Sequence, residues 1–161
     1  MDTDKLTDTQ TKKFPSYFPP HVPPENAKEE NIRVYRACKT RKLDKISFTP
    51  SFEENGHKCP NEDTGNPSVY SLSTYESPKD VKRFVAMNSE YNKPFKIAVG
   101  NTLPKYGVVL RAKDKELGRK SKSSHVDWWL YDGVEPYNAF SMIENFTQHL
   151  NEWEQAKGGL A

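Results

Sequence analysis

The sequence predicts an α+β fold: a single domain with a dominant, mostly antiparallel sheet of about six strands and two main helices. Three observations support this prediction. Short segments in which apolar and polar residues alternate, as they do in strands, recur along the chain. Two other segments have apolar residues at helical spacing. The chain has 161 residues, which is about the length of one domain.

The first 30 residues are predicted to form a flexible or docking N-terminal arm, ahead of a single domain at residues 31–161. The arm has five prolines, six acidic residues and four lysines. Such a composition buries too little apolar surface to offset the entropy lost on ordering. Residues 14–24 within it are rich in aromatic residues and proline. This stretch fits either a disordered leader or an arm that docks on the domain or on a protein partner.

Six segments of the domain are predicted to be strands from their alternation and their β-branched and aromatic content. The second of them is interrupted by Pro50, which cannot donate a ladder hydrogen bond. The residues from Glu53 to Pro67 are predicted to form a loop. The predicted strands are Ile32–Lys39, Lys45–Phe52, Val69–Thr74, Phe95–Val99, Tyr106–Leu110 and His125–Tyr131.

Two segments are predicted to be helices. The first begins with Ser77 as N-cap and Pro78 in the first turn, and Asp80 is expected to close a capping-box-like pair with Ser77. It is expected to end near Tyr91. Gly158–Gly159 is expected to end the second helix. The apolar stripes are Val81, Phe84 and Val85 in the first helix, and Met142, Ile143, Phe146, Leu150 and Trp153 in the second.

Charge is unevenly distributed along the chain. Residues 31–45 carry six Lys or Arg residues against one Asp, and residues 105–122 carry seven against two acids. Residues 123–161 carry one Lys against six acids. If the two basic segments are neighbours, they favour a phosphate-bearing ligand or a polyanion, and Lys113–Lys122 would suit a nucleic acid. The alternative is that both are ordinary solvated surface.

Several functional classes are not favoured. No run of about 18 apolar residues exists, so no membrane partner is expected. The polar N-terminus lacks the features of a secretory signal, which predicts a cytoplasmic location with Cys38 and Cys59 as reduced thiols. The alternative is a disulfide between them, if the chain is exported by another route. His57, Cys59 and Cys38 lack the paired spacing of zinc ligands, so no metal is expected.

The leading candidate for chemistry is Arg36 on the first strand, with Tyr70, Ser71 and Ser73 on the third. Side chains alternate along a strand, so Ser71 and Ser73 share a face, whereas Tyr70 points to the other. The planar guanidinium of arginine suits pyrophosphate or carboxylate groups. Neighbouring serine hydroxyls can orient a ribose or an amide. Together these residues suggest a nucleotide cleft.

This arrangement resembles a known family. The Val34-Tyr35-Arg36 strand and the Tyr70-Ser71-Leu72-Ser73-Thr74 strand that leads into a helix are similar to the ADP-ribosyltransferase fold, nearest to the RES-domain toxins that consume NAD. The resemblance covers residues 32–86. The Gly-Gly-Arg stretch of RES domains and the Glu-x-Glu pair of arginine-modifying transferases are absent.

The resemblance implies an NAD-consuming transferase or NAD glycohydrolase, such as a bacterial or phage toxin or effector. Arg36 would bind NAD at its phosphate or ribose, and Tyr70, Ser71 and Ser73 would lie at the nicotinamide side. The carboxylate that supports cleavage of the nicotinamide–ribose bond would be Glu53 or Glu54, with Glu135 as the rival. NAD or another nucleotide is thus the expected small-molecule partner.

A second group of candidate residues lies in the predicted strand His125-Val126-Asp127-Trp128-Trp129. His125 and Asp127 fall on one face of a strand, roughly 6–7 Å apart, and could form a general-base pair. Trp128 and Trp129 point to opposite faces, so at most one is expected to lie fully in the core. The alternative is that a helix covers one tryptophan and the N-terminal arm covers the other, with His125 and Asp127 as polar residues at the end of a strand. An exposed tryptophan together with the arm would make the chain a non-enzymatic interaction or inhibitor protein. Both classes remain open from the sequence.

Overall fold

The computed structural model describes residues 12–54, 56, 66–88, 95–114 and 123–159. Its centre is one six-stranded sheet in the order β4-β5-β2-β1-β3-β6, with antiparallel pairing throughout. The predicted α+β class with one dominant antiparallel sheet is confirmed. The strands are β1 (Arg33–Cys38), β2 (Leu72–Tyr75), β3 (Lys96–Asn101), β4 (Gly107–Arg111), β5 (His125–Leu130) and β6 (Phe140–Met142). The helices are α1 (Ser51–Glu54), α2 (Pro78–Asn88) and α3 (Phe146–Gly159).

Cross-strand pairing assigns each strand residue to one of two faces of the sheet. Tyr35 pairs with Tyr75, and Ser73 pairs with Asp127, so these side chains share a face. We call this the helix face, because Val81 of α2 and residues of α3 pack on it. Arg36 immediately follows Tyr35 and therefore points to the opposite face. That second face carries Val34, Arg36, Cys38, Leu72 and Trp128, and we call it the loop face.

Each face buries its own apolar cluster. On the loop face, Trp128 stacks on Phe140, which in turn meets the edge of Phe48. On the helix face, Val81 packs with Tyr35 and Ile97 of the sheet. Burial on both faces is the arrangement that stabilises a sheet of this width.

The described part of the N-terminal segment, residues 12–30, lies against the helix face over β4 and β5. Val22 is buried there, and Phe14 and Phe18 pack in the same cluster, which contains Trp129. Lys28 forms two backbone hydrogen bonds with Val109 of β4, of 3.1 and 2.8 Å. This pairing covers part of an exposed sheet edge, which would otherwise present unpaired backbone groups.

The predicted strand at Lys45–Phe52 is wrong. These residues form a 3₁₀ turn at Ile46–Phe48, followed by α1. The cause is local side-chain hydrogen bonding that competes with strand pairing. The Asp44 carboxylate accepts from the Ser47 backbone N–H at 2.9 Å and from the Thr40 hydroxyl at 2.9 Å. These contacts lower the pKa of Asp44, with the Ser47 backbone hydrogen bond as the largest cause.

The predicted strand at Val69–Thr74 begins too early. Pro67–Tyr70 forms a 3₁₀ turn, and strand pairing starts at Leu72. The Asn66 side chain accepts from the Ser68 N–H at 3.0 Å, and this cap sets the turn. Pro67 suits the first position of such a turn because its φ is restricted.

Helix α2 begins at Pro78 as predicted, but the predicted role of Asp80 and the predicted start of α3 both differ from the structure. Asp80 does not close a box with Ser77, since its carboxylate accepts from the backbone N–H of Ser124 at 2.9 Å and from the Ser124 hydroxyl at 2.7 Å. Met142 belongs to β6, and α3 begins only at Phe146. The residues from 89 to 94, where α2 was expected to end, lie outside the described residues. None of the described helices is long and apolar enough to cross a membrane.

Candidate functional site

A cavity of about 260 Å³ lies at the end of the sheet where β2 begins and β5 ends. Leu72 and Trp128, which are paired neighbours, form its floor. Its other walls come from separate stretches of the chain: Pro15 to Phe18 of the N-terminal segment, Lys45 to Pro50, and residues 131–137. The cavity therefore exists only when these stretches are folded together.

Glu53 and Tyr70, both predicted site residues, line this cavity. Tyr17 lines it too, and its hydroxyl donates to the Glu53 carboxylate at 3.3 Å. Burial raises the pKa of Tyr17, and the nearby Glu53 carboxylate raises it further. Tyr17 thus remains a neutral donor that can hold the carboxylate in place. The Glu54 side chain lies outside the described residues.

Glu135, the rival acid of the sequence prediction, lines the same cavity. The Tyr137 hydroxyl donates to its carboxylate at 2.9 Å. This hydrogen bond is the largest cause of a raised Tyr137 pKa. Glu135 is exposed, whereas Glu53 is half-buried. The two acids are 82 positions apart in the sequence and each is held by a tyrosine.

One lining residue has an unsatisfied polar atom. The indole N–H of Trp128 is buried and has no hydrogen-bond partner among the residues the structure describes. Buried polar groups are nearly always paired, so this unpaired indole N–H is an exception in the chain. By contrast, the indole N–H of Trp129 donates to the Pro67 carbonyl at 2.9 Å.

Arg36 does not line the cavity. Its guanidinium donates to two backbone carbonyls, those of Ser47 and Ser73, each at 2.9 Å. Ser47 lies in the 3₁₀ turn that also carries Phe48, which lines the cavity. Arg36 therefore ties the cavity wall to β2, and its contribution to a site is positional.

The Arg36→Lys substitution is expected to lower the free energy of unfolding by about 1.5 kcal/mol, since one ammonium cannot reach both carbonyls with the fork geometry of a guanidinium. Chemical denaturation measures this loss. The control is Arg83→Lys on α2, whose side chain is 73% exposed and which should change stability by less than about 0.5 kcal/mol. Equal effects of the two substitutions would contradict the positional role.

Ser71 and Ser73 also lie outside the cavity. The Ser71 hydroxyl donates to Asp127 at 2.7 Å, and the Ser68 hydroxyl donates to the second oxygen of that carboxylate at 3.1 Å. The Ser73 hydroxyl is 3.0 Å from Nε2 of His125. Ser73 is on the helix face and the side chain of Arg36 is on the loop face. The sheet itself therefore separates the arginine from the serine hydroxyls.

His125 and Asp127 are neighbours, as their shared face requires. The distance between Nε2 of His125 and the nearer Asp127 oxygen is 3.9 Å. This same Nε2 contacts Ser73, so Asp127 does not orient the ring through Nδ1 as in a serine-type catalytic triad. Asp127 is completely buried and mainly serves as an acceptor for serine hydroxyls. The pair fits a structural role in the sheet.

Of the two interpretations of this strand, the one with an exposed tryptophan is wrong. Trp128 and Trp129 are both 0% exposed. Trp129 is buried in the cluster that includes Phe14, Tyr17 and Phe18 of the N-terminal segment. The aromatic residues that would have bound a partner thus pack within the chain.

Two predicted features fall on residues that the structure does not describe. His57 and Cys59 lie there, and so does most of the basic segment Lys113–Lys122, beyond Asp114. Cys38 is described as buried, and burial raises the pKa of its thiol to about 11. Among the described residues, no three His, Cys, Asp or Glu side chains are grouped so that they could hold a metal ion.

Sequence reasoning missed several cavity residues. Tyr17 and Lys45 gave no signal, because nothing local relates them to Glu53 or Glu135. Tyr137 carried a weak signal, since it stands two positions after Glu135 and its hydroxyl reaches back to that carboxylate. Asp132 also lines the cavity, although its position before Gly133 is typical of a turn.

Comparison of the chain with protein-family models, with curated proteins and with solved structures found no match. The interpretation of the cavity therefore depends on its own geometry and chemistry.

Proposed function

We propose that the chain cleaves the bond between nicotinamide and ribose in NAD, and that the cavity holds this bond. One observation carries the proposal: Glu53 and Glu135, distant in sequence, line a single cavity whose walls are aromatic. A flat heteroaromatic base suits walls such as Phe48 and Tyr70. Carboxylates beside a sugar are the groups that glycosidic chemistry requires.

The chemistry requires little of the protein beyond two carboxylates. The bond between C1′ of the ribose and the ring nitrogen breaks, and both electrons leave with nitrogen. Nicotinamide, cationic in NAD, therefore departs neutral without receiving a proton. C1′ becomes positively charged in the transition state, and a carboxylate beside it lowers the barrier. A water oxygen then bonds to C1′, and a second carboxylate accepts the proton that the water loses.

The surroundings of the two acids suggest a division of roles. Glu53 is half-buried, so its charge acts through a medium of lower dielectric and suits stabilisation of the cationic sugar. Glu135 is exposed and can pass a proton to solvent. Tyr17 and Tyr137 hold the two carboxylates through the hydrogen bonds described above. Arg36 is a positioning residue in this proposal, because it donates to the backbone of the cavity wall. Ser71 and Ser73 have no role in it, so neither the arginine nor the serines make the ligand contacts that the resemblance implies.

The test is nicotinamide release from NAD by the purified chain and by Glu53→Gln and Glu135→Gln variants. Glutamine keeps the shape of the side chain and removes its charge. Each variant is expected to lower kcat about 100-fold. The control is Glu144→Gln, an exposed glutamate outside the cavity lining, which should keep full turnover.

Melting temperatures of all variants separate loss of chemistry from loss of folding. No nicotinamide release by the unaltered chain would refute the proposal. Full turnover in the Glu53→Gln/Glu135→Gln double variant would also refute it, because no carboxylate of the proposed pair would then be needed.

A further inference from the structure

Acidic residues outnumber basic residues in the lining of the cavity. Glu53, Asp132 and Glu135 contribute carboxylates, whereas Lys45 is the single Lys or Arg among the lining residues that the structure describes. Arg36, the expected phosphate ligand, donates to backbone carbonyls on the loop face. The lining is therefore acidic and repels the negative charges of phosphate groups.

The aromatic residues of the lining also favour a positively charged ligand. Tyr17, Phe18, Phe48, Tyr70 and Tyr137 all line the cavity. The faces of such rings attract cations, and cages of aromatic rings beside carboxylates recognise organic cations. A pyridinium ring is both flat and positively charged, so it suits the rings and the carboxylates at once.

The size of the cavity limits how much of a dinucleotide it can enclose. Pockets that enclose a drug-sized ligand measure about 300–1,000 Å³, and this cavity is about 260 Å³. It therefore encloses a ring and a sugar but not a whole dinucleotide. The phosphates and the adenosine of NAD would lie outside the cavity.

We infer that the site recognises only the cationic pyridinium–ribose portion of its substrate, so that a phosphate-free N-ribosylpyridinium is cleaved at least as efficiently as NAD. Nicotinamide riboside is the simplest such compound. This inference rests on the proposed function and adds the substrate class. The same bond breaks in both substrates, and water supplies the new oxygen on C1′ in both.

The experiment compares kcat/KM for nicotinamide riboside and for NAD with the full chain, at low and high salt. The riboside should match or exceed NAD at low salt. Raising NaCl from about 50 to about 500 mM should raise the value for NAD and lower it for the riboside, since salt screens repulsion and attraction alike.

The Asp132→Lys variant makes the comparison more specific, because it reverses one charge of the cavity lining. The Asp132 side chain is exposed, so the new lysine need not be buried. The ratio of NAD to riboside kcat/KM should rise roughly threefold to tenfold. Asp114→Lys, at an exposed position outside the cavity lining, should leave the ratio unchanged. An equal shift in both variants would show a general effect of net charge and would overturn the inference.

The two proposals fail in different ways. Cleavage of NAD with a kcat/KM more than about threefold above that of the riboside at low salt overturns the inference and leaves the proposed function standing. Failure to release nicotinamide from either compound overturns both.

Discussion

The Asp127→Ala variant is expected to lose about 3 kcal/mol of its free energy of unfolding, because Asp127 is a completely buried carboxylate that satisfies two hydroxyl donors. Its removal leaves the Ser68 hydroxyl without that acceptor and leaves a void at a completely buried position. The Ser71 hydroxyl has a second acceptor, the Ser68 carbonyl at 3.1 Å, so it is affected less.

Chemical denaturation of the variant measures the loss. Asp127→Asn keeps the volume and one acceptor oxygen, and we expect it to recover about half of the stability. Glu144→Ala, which removes an exposed carboxylate, should stay within about 0.5 kcal/mol of the unaltered chain. If Asp127→Ala were as stable as Glu144→Ala, the buried carboxylate would have no structural importance.

The Tyr17→Ala/Phe18→Ala double variant is expected to lose about 3 kcal/mol of stability and most of its nicotinamide release. Both rings pack on Tyr70, with centroid distances of 6.3 Å for Tyr17 and 5.6 Å for Phe18. Tyr17 also packs on Phe52 of α1 at 5.0 Å. Truncation therefore exposes part of a cluster and removes one wall of the cavity.

Tyr17→Phe separates the two effects, because it keeps the ring and removes only the hydroxyl that donates to Glu53. We expect its melting temperature to stay close to that of the unaltered chain while its nicotinamide release falls. Ser16→Ala, at an exposed neighbouring position, should alter neither property. Normal stability of the double variant would show that the N-terminal segment contributes nothing to the fold.

Local sequence was a good guide to most of the sheet. The segments that became β1, β3, β4 and β5 were predicted within about two residues, since alternation of apolar and polar residues follows directly from strand geometry. Where local side chains compete with the backbone, the same reasoning failed. Asp44 and Asn66 accept backbone N–H groups and turn the chain, and alternation cannot reveal this.

The candidate site was predictable only in part. Tyr70 was named from its strand pattern, Glu53 and Glu135 were named from the resemblance, and all three line the cavity. Arg36 and Ser73 were expected to meet in one cleft, but the pairing of β1 with β2 directs their side chains to opposite faces. Alternation predicts which residues of one strand share a face of the sheet. Which residues of two different strands share a face depends on the register of their pairing, and a single sequence does not specify that register.

The fold class and most of the strands could be predicted from the sequence, because they depend on composition and on short-range periodicity. The two candidate acids were named only through the resemblance to a known family. Only in the folded chain do Glu53 and Glu135 line one cavity, with Arg36 donating to the backbone of its wall and Tyr17 donating to the Glu53 carboxylate. These relations join residues many positions apart. They are set by strand register and by packing of the N-terminal segment, which are long-range properties of the folded chain.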